Sequence, residues 1–235
     1  MTRLVIGLTV TVLAWNLAVK ESRSEGLWHR VEDKTNCVSW IDAPLENLTM
    51  TWTGVCERGK TSGQGSIVWR FKKEGVWVES YFTGNMEAGK IEGSGRLKSR
   101  KGWIYEGGFK NHAPSGYGEM VWPTGSSYKG QWNGWNRHGH GTLVYGNTGL
   151  KFVGEFRSGK KHGNGVATSV GGSKFVGDYV NDRAEGPGIF TLKNGEQCEG
   201  IFHNGEMVGR GTGKLHGKTF RCRIDIKNDE IVYSE

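Results

Sequence analysis

The stretch that decides the fold is FVGEFRSGKKHGNG, residues 152–165, and its spacing recurs along most of the chain. Phe152 and Phe156 flank a glycine two residues away on either side, and a Gly-x-Gly begins nine residues after that glycine. Residues two apart in a strand share one face, so both rings and the glycine between them lie on the same side. Ser158-Gly159 is a turn pair. The stretch therefore predicts a β-hairpin whose second strand starts at the Gly-x-Gly.

The same unit occurs seven times. Its lead glycine is followed nine residues later by a Gly-x-Gly in every case, and successive lead glycines are 30, 23, 23, 24, 23 and 23 residues apart. The lead glycines are Gly54, Gly84, Gly107, Gly130, Gly154, Gly177 and Gly200. A fixed period in this range is typical of a repeat array in which neighbouring units share a core. We therefore predict an all-β protein, an elongated single-sheet antiparallel β-meander of stacked hairpins.

Composition supports an ordered β-structure with a moderately basic surface. The chain has 39 Gly, yet it also has 10 Trp, 7 Tyr and 9 Phe, whereas disordered glycine-rich segments contain few aromatics. The net charge of +7 favours weak attraction to anionic surfaces. Because the basic residues are scattered and form no long run, we do not expect a nucleic-acid partner.

On these residues the chain resembles the MORN repeat. The shared pattern is Tyr-x-Gly-x-Phe/Trp, then Asn/Ser-Gly-Lys, then His-Gly-x-Gly, and it covers residues 52–215 as seven repeats. Met86 and Cys198 replace an aromatic residue in units 2 and 7. The resemblance implies an elongated sheet used in protein assembly or, as has been proposed for the family, in phospholipid binding.

The N-terminal residues predict export. Residues 1–24 combine a positive Arg3 with an apolar stretch that is short for a membrane span, a pattern typical of a signal peptide. The alternative is an uncleaved N-terminal anchor. In either case the body of the protein is expected to be periplasmic or secreted, and residues 25–51 are expected to form an N-terminal cap.

The C-terminal residues predict a second cap. In the segment 216–235, Phe220, Cys222 and Ile224 alternate with Arg221 and other polar residues, which indicates one amphipathic capping strand.

Two cysteines lie at each end of the repeat array. An even number of cysteines in an exported chain favours disulfides, and four cysteines allow three connectivities. We predict Cys37–Cys56 and Cys198–Cys222, each joining a cap to a terminal repeat, at about 3 kcal/mol per bond. Four free thiols are the alternative.

No pattern in the sequence predicts an enzyme, a cofactor or a metal site. His138-Gly139-His140 could resemble a metal-binding pair, but no third ligand follows at a fixed spacing. The Gly-x-Gly pairs are not followed by a helix and so do not resemble phosphate-binding loops. Activities of catalytic domains attached to some MORN arrays do not carry over, because the flanks are too short for such a domain.

We predict that an aromatic groove, or the sheet edge, recruits a protein partner, with unpaired Trp132 and Trp135 as anchors. The candidate binding residues are Tyr105, Phe109, Tyr128, Trp132, Trp135, Phe152 and Phe156. The alternative is peripheral binding to anionic phospholipid. A more remote alternative is an accessory subunit of an enzyme with no catalysis of its own. The sequence also leaves a homodimer as an alternative.

Two local features lie outside the repeat pattern. The seven-residue excess between units 1 and 2, around residues 70–74, predicts a longer surface loop beside Trp77. The sequon Asn47-Leu48-Thr49 would accept a glycan only in a eukaryotic secretory pathway.

Overall fold

A computed structural model describes residues 26–42, 44–215, 217–225 and 230–234. Within these residues the protein is all-β, with nineteen strands in one sheet. The predicted signal peptide or anchor, residues 1–24, lies outside the described residues.

The strands are β1 (Leu27–Arg30), β2 (Val38–Ile41), β3 (Glu46–Trp52), β4 (Val55–Glu57), β5 (Lys60–Lys73), β6 (Val76–Glu87), β7 (Lys90–Lys98), β8 (Ile104–Lys110), β9 (Ala113–Val121), β10 (Ser127–Asn133), β11 (Asn136–Val144), β12 (Lys151–Arg157), β13 (Lys160–Thr168), β14 (Lys174–Val180), β15 (Arg183–Thr191), β16 (Gln197–His203), β17 (Glu206–Leu215), β18 (Lys218–Asp225) and β19 (Glu230–Ser234).

The spatial order of the strands follows the chain. From β5 to β19, each strand pairs antiparallel with the next. Strands β3 and β4 together line the other side of β5, and the β1–β2 hairpin joins β5 by one parallel bridge between Val38 and Lys60. The predicted single-sheet meander of stacked hairpins is confirmed, with this bridge as its parallel exception.

The Gly-x-Gly lies inside the second strand of each hairpin, so the expectation that this strand starts there is wrong. Strand β13 begins at Lys160, three residues before Gly163. Beside Gly163 the register shifts between Gly154 and Glu155, which marks a β-bulge, and Gly163 has a φ of +61°. Glycine adopts that conformation without steric cost, and the bulge bends the hairpin.

The second glycine of the pair has a different role. Gly165 lies opposite Gly154 and Gly177, and the ring of Phe152 covers it so closely that a Cβ there would be 2.3 Å from Phe152 Cζ. The same pairing continues as a row of glycines across the sheet, from Gly65 to Gly200. The row lets one ring from each hairpin lie directly on the backbone.

The core of the array is a continuous line of ten rings, which we call the aromatic ladder. In order of contact, the ladder consists of Phe82, Phe109, Tyr105, Trp132, Tyr128, Phe156, Phe152, Tyr179, Phe175 and Phe202. Neighbouring rings meet edge to face with centroids 4.7–5.8 Å apart. Such contacts contribute about 0.5–1.5 kcal/mol each beyond burial. We call the face that carries the ladder the inner face.

In the first and the last repeat unit, a disulfide-bonded cysteine stands at an aromatic position of the repeat. The sulfur atoms of Cys37 and Cys56 are 2.01 Å apart, and those of Cys198 and Cys222 are 2.05 Å apart. These are the two pairs that the sequence predicts. The C-terminal cap is a hairpin and not the single strand that was predicted, because β19 folds back on β18 and Tyr233 packs its ring against Phe220.

The sequence predicts a surface loop for the excess residues between units 1 and 2, and this prediction is wrong. They lengthen β5 to 14 residues and β6 to 12 residues, and the antiparallel pairing of the two strands continues out to Lys73 and Val76. Glu74 and Gly75 close the turn with φ values of 52° and 78°, the backbone of a tight hairpin. The hairpin ends in exposed Val76 and Trp77.

The ladder tyrosines make the array sensitive to alkali. Burial raises the pKa of Tyr105 and Tyr128 to about 12, and their hydroxyls donate to the carbonyls of Gly108 and Gln131. An unfolded tyrosine has a pKa of about 10, so this stability is complete below pH 10 and is lost as the pH rises through about 12. The loss should be about 2–3 kcal/mol per ring, because each unit between the unfolded and the folded pKa corresponds to about 1.4 kcal/mol.

Urea unfolding at about pH 9 and about pH 12 would measure this loss. The matched control is the double variant Tyr105→Phe/Tyr128→Phe, which keeps both rings and removes both ionisable groups. Equal alkaline losses in the two proteins would show that other groups, such as lysines, cause the effect.

A candidate binding groove on the inner face

Six of the seven predicted binding residues belong to the aromatic ladder and are not available as surface anchors. Tyr105, Phe109, Tyr128, Trp132, Phe152 and Phe156 are at most 5% exposed. The expectation that Trp132 is unpaired is wrong, since its ring contacts Tyr105 and Tyr128 and its Nε1–H donates to the carbonyl of Gly118 at 3.1 Å. The sequence pattern identified the core of the array and not its surface.

Trp135, the seventh predicted residue, is exposed. It lies in the turn between β10 and β11, where most units have a small or polar residue, and 49% of its surface is accessible. Its ring meets Trp103 edge to face with centroids 5.4 Å apart. The side chain therefore projects from the inner face while a neighbouring unit supports it.

A first cleft lies on the N-terminal side of Trp135, with a volume of about 370 Å³. Its walls are largely aromatic and include Trp40, Trp69, Phe71, Trp103 and Trp135. Trp69 is 7% exposed, and its Nε1 has no hydrogen-bond partner among the described residues. A buried N–H without a partner is energetically unfavourable. A ligand that placed a hydrogen-bond acceptor at Trp69 Nε1 would therefore gain binding energy.

His112 lines the same cleft. Its Nδ1 faces the backbone N–H of Ile91 at 3.5 Å, while its Nε2 is buried and unpaired within the described residues. Burial lowers the pKa of His112, which favours the neutral ring. With Nδ1 accepting from Ile91, the proton lies on Nε2. The cleft thus holds a second unpaired N–H donor.

A second cleft, of about 430 Å³, lies on the C-terminal side of Trp135 and is lined by Trp122, Arg137 and Tyr145 among others. The guanidinium of Arg137 lies 5.3 Å from the ring centre of Phe156 and 5.9 Å from that of Tyr128. Together the two clefts form one groove divided by Trp135, which we call the inner groove.

A second cation follows Arg137 one unit later along the sheet. Lys161 Nζ lies 5.2 Å from the ring centre of Tyr179 and 5.5 Å from that of Phe152. Burial lowers the pKa of Lys161, although the nearby charge of Asp182 raises it. Both cations gain from the ring faces, an attraction of about 0.5–2 kcal/mol that grows as water is excluded.

Sequence reasoning missed these two cations, although a signal was present. Arg137 and Lys161 occupy the same repeat position, two residues before the Gly-x-Gly. In the other units this position holds Thr61, Ile91, Pro114, Ala184 and Met207. Basic residues at a repeat position that is uncharged in the other units mark this stretch as a candidate site.

A third cleft, of about 850 Å³, is a weaker candidate site. It lies on the opposite face of the sheet and is lined by charged residues adjacent in sequence to inner-face residues: Arg96, Glu106, Glu119 and Lys129. Arg96 pairs with Glu106 at 3.6 Å and Lys129 with Glu119 at 3.3 Å. Its charges are already matched, whereas Arg137 in the second cleft forms no ion pair with any described residue.

Over the described ranges, no three His, Cys, Asp or Glu side chains are grouped to hold a metal ion, and no helix is long and apolar enough to cross a membrane. Asn47 is exposed at a register shift in β3, with a φ of 51°.

The fold and the groove define a linear repeat protein built from β-hairpins with a shared aromatic core. A model of the MORN repeat matches residues 82–104, 105–127, 128–149, 152–174, 175–197 and 198–212, which is more than half of the chain. The chain therefore belongs to the MORN repeat family. The match covers six units and leaves out the first, whose opening strand is divided into β3 and β4.

Among known proteins, the chain is similar to alsin. Rat alsin is 31% identical over 109 residues, which is 44% of this chain and 6% of alsin. Mouse and human alsin give the same identity and coverage. The chain thus spans about 6% of the length of these relatives.

Proposed function

We propose that the protein is an exported, non-enzymatic scaffold that holds an extended segment of a protein partner in the inner groove. The observation that carries the proposal is Trp135, an exposed ring that lines both clefts and is supported by Trp103. Large aromatic side chains in such positions dominate the energetics of many protein interfaces. The MORN family supports an interaction role, since the array is a repeat without a known catalytic site of its own.

Export is part of the proposal. The apolar residues 4–19 and the two cysteine pairs at disulfide distance both favour an oxidising compartment. Both disulfides join a cap to a terminal unit, where a single hairpin gains least from its neighbours.

The groove is tested by Trp135→Ala in a pulldown from the native host, with captured proteins identified by mass spectrometry. We expect loss of the specific partner, with at least a tenfold fall in affinity, because an interface anchor contributes about 2 kcal/mol or more. Capture by the unmodified protein should survive high salt, since the anchor is apolar.

The matched control is Trp77→Ala, because Trp77 is also an exposed tryptophan but lies at the far tip of the β5–β6 hairpin. Partner capture that is unchanged in Trp135→Ala, or equally lost in both variants, would exclude the inner groove as the binding site.

Binding to anionic phospholipid is a second candidate function, and the tip of the β5–β6 hairpin favours it. Arg70 and Lys72 lie 5.1 and 5.5 Å from the ring centre of Trp77, beside exposed Val76. Basic side chains around an exposed tryptophan suit a membrane interface. Liposome flotation at low salt that is lost in Trp77→Ala and kept in Trp135→Ala would support this second function.

A further inference from the structure

The inner groove changes its chemistry along its length. The first cleft is largely aromatic, with Asp42 in its lining and unpaired donors on Trp69 and His112. The second cleft places Arg137 beside Trp135, with Lys161 one unit further along. A ligand that fills both clefts must therefore be apolar at one end and compatible with cations at the other.

Within the part of the chain that the structure describes, neither Arg137 nor Lys161 forms an ion pair. Asp182 is the acidic group whose charge reaches Lys161, and its Oδ1 accepts from the backbone N–H of Lys161 at 2.9 Å. Arg137, Lys161 and Asp182 together give the inner face at and beyond the second cleft a net positive charge.

Arg137 also has donors to spare. Its Nε donates to the carbonyl of Gly159 at 3.1 Å, and Nη2 bonds to the same oxygen. Its Nη1 has no partner among the described residues, and a guanidinium has five N–H groups in all. A fixed guanidinium with free donors is well suited to bind a carboxylate, because little side-chain freedom is lost on binding.

Resting on the proposed function, we propose that the partner segment is an acidic peptide with a bulky apolar side chain. The apolar side chain fills the first cleft, where a backbone carbonyl accepts from Trp69 Nε1. A carboxylate of the same segment lies beyond Trp135 and accepts hydrogen bonds from Arg137, with Lys161 adding to the attraction. Charge complementarity of this kind selects partners and orients them in the groove.

The probe is an array of synthetic decapeptides with Trp, Phe or Leu fixed at one position. The residues on either side are Asp/Glu, their amide counterparts Asn/Gln, or Lys/Arg. The whole folded protein is labelled and bound to the array at low and at high salt. We expect the acidic members to bind at least tenfold more tightly than their amide counterparts, with a difference that shrinks as salt increases.

The variant Arg137→Met tests whether Arg137 causes the preference for acidic peptides, because it removes the charge and keeps an apolar side chain on the aromatic ladder. It should abolish the preference for acidic over amide peptides, whereas Arg137→Lys should retain it. The matched control is Arg157→Met, which makes the same change of net charge at an exposed position at the end of β12. Thermal unfolding of each variant checks that the array is intact.

The outcomes separate this inference from the proposed function. Equal binding of acidic and amide peptides, lost in Trp135→Ala, would overturn the acidic partner and leave the groove in place. The acidic partner would also be overturned if no peptide on the peptide array bound while a native partner was still captured through Trp135. Native capture that ignores Trp135→Ala would remove the proposed function itself.

Discussion

Gly118→Ala is expected to lower the free energy of unfolding by about 3 kcal/mol, because the added methyl group has no space. A Cβ at this position would lie 2.3 Å from the hydroxyl oxygen of Tyr105 and 2.6 Å from its Cζ. Tyr105 cannot move aside freely, since it is fully buried and its ring contacts Phe109 and Trp132. The backbone must shift, and the shift passes to both neighbouring hairpins. Urea denaturation followed by tryptophan fluorescence measures the loss.

Gly116→Ala is the comparison variant for this prediction. Gly116 is the first glycine of the same Gly-x-Gly, with a φ of 73° and no atom within 4 Å of a built Cβ. Its substitution should cost only about 1–2 kcal/mol, from backbone strain alone. A double-mutant cycle with Tyr105→Leu should show that the smaller side chain relieves part of the cost of Gly118→Ala. Strictly additive losses would mean that the ring does not press on this glycine.

Replacement of Cys198 and Cys222 by alanine is expected to destabilise the protein by about 3–4 kcal/mol. The bond closes a loop with a sequence separation of 24, and both cysteines are fully buried. Without it, the C-terminal hairpin keeps the β17–β18 pairing, the packing of Phe220 on Gly213 and the hydrogen bond from Tyr233 to Glu196. Chemical denaturation of the double variant measures the overall effect.

The loss should be concentrated at the C-terminal end of the array. In a repeat array each unit contacts only its neighbours, so hydrogen-exchange protection should fall in β16 to β19 and persist in β8 to β13. The double variant Cys37→Ala/Cys56→Ala is the matched control and should open the opposite end. Uniform loss of protection along the whole sheet would instead show that the array unfolds as one unit.

The period of the repeat was enough to predict the sheet, because strand geometry follows directly from side chains two residues apart. The aromatic residues around Gly154 and Gly177 predicted a shared face, and the ladder lies there. The position of the bulge was not predictable in the same way. Gly163 and Gly165 look alike in sequence, whereas one needs a left-handed backbone and the other needs space beneath a ring.

The candidate groove was harder to predict than the fold. Trp132 and Trp135 are the same residue type, and only their packing against other rings decides which of them is covered. The second cleft depends on Arg137, which lies beside Phe156 from the following unit. Contacts between units are set by the twist and bend of the sheet, and a single sequence does not show them.

The turn of one hairpin repeatedly donates a backbone hydrogen bond to the unit before it. Gly159 N–H donates to the carbonyl of Arg137, Asp182 N–H to that of Lys161, and Gly205 N–H to that of Ala184. These internal junctions are chemically alike and all point the same way along the chain. The array is therefore directional. Removing or duplicating one whole 23-residue unit would recreate a junction of the same kind between the units on either side. Its length is adjustable in steps of one unit, and the two terminal caps are not interchangeable.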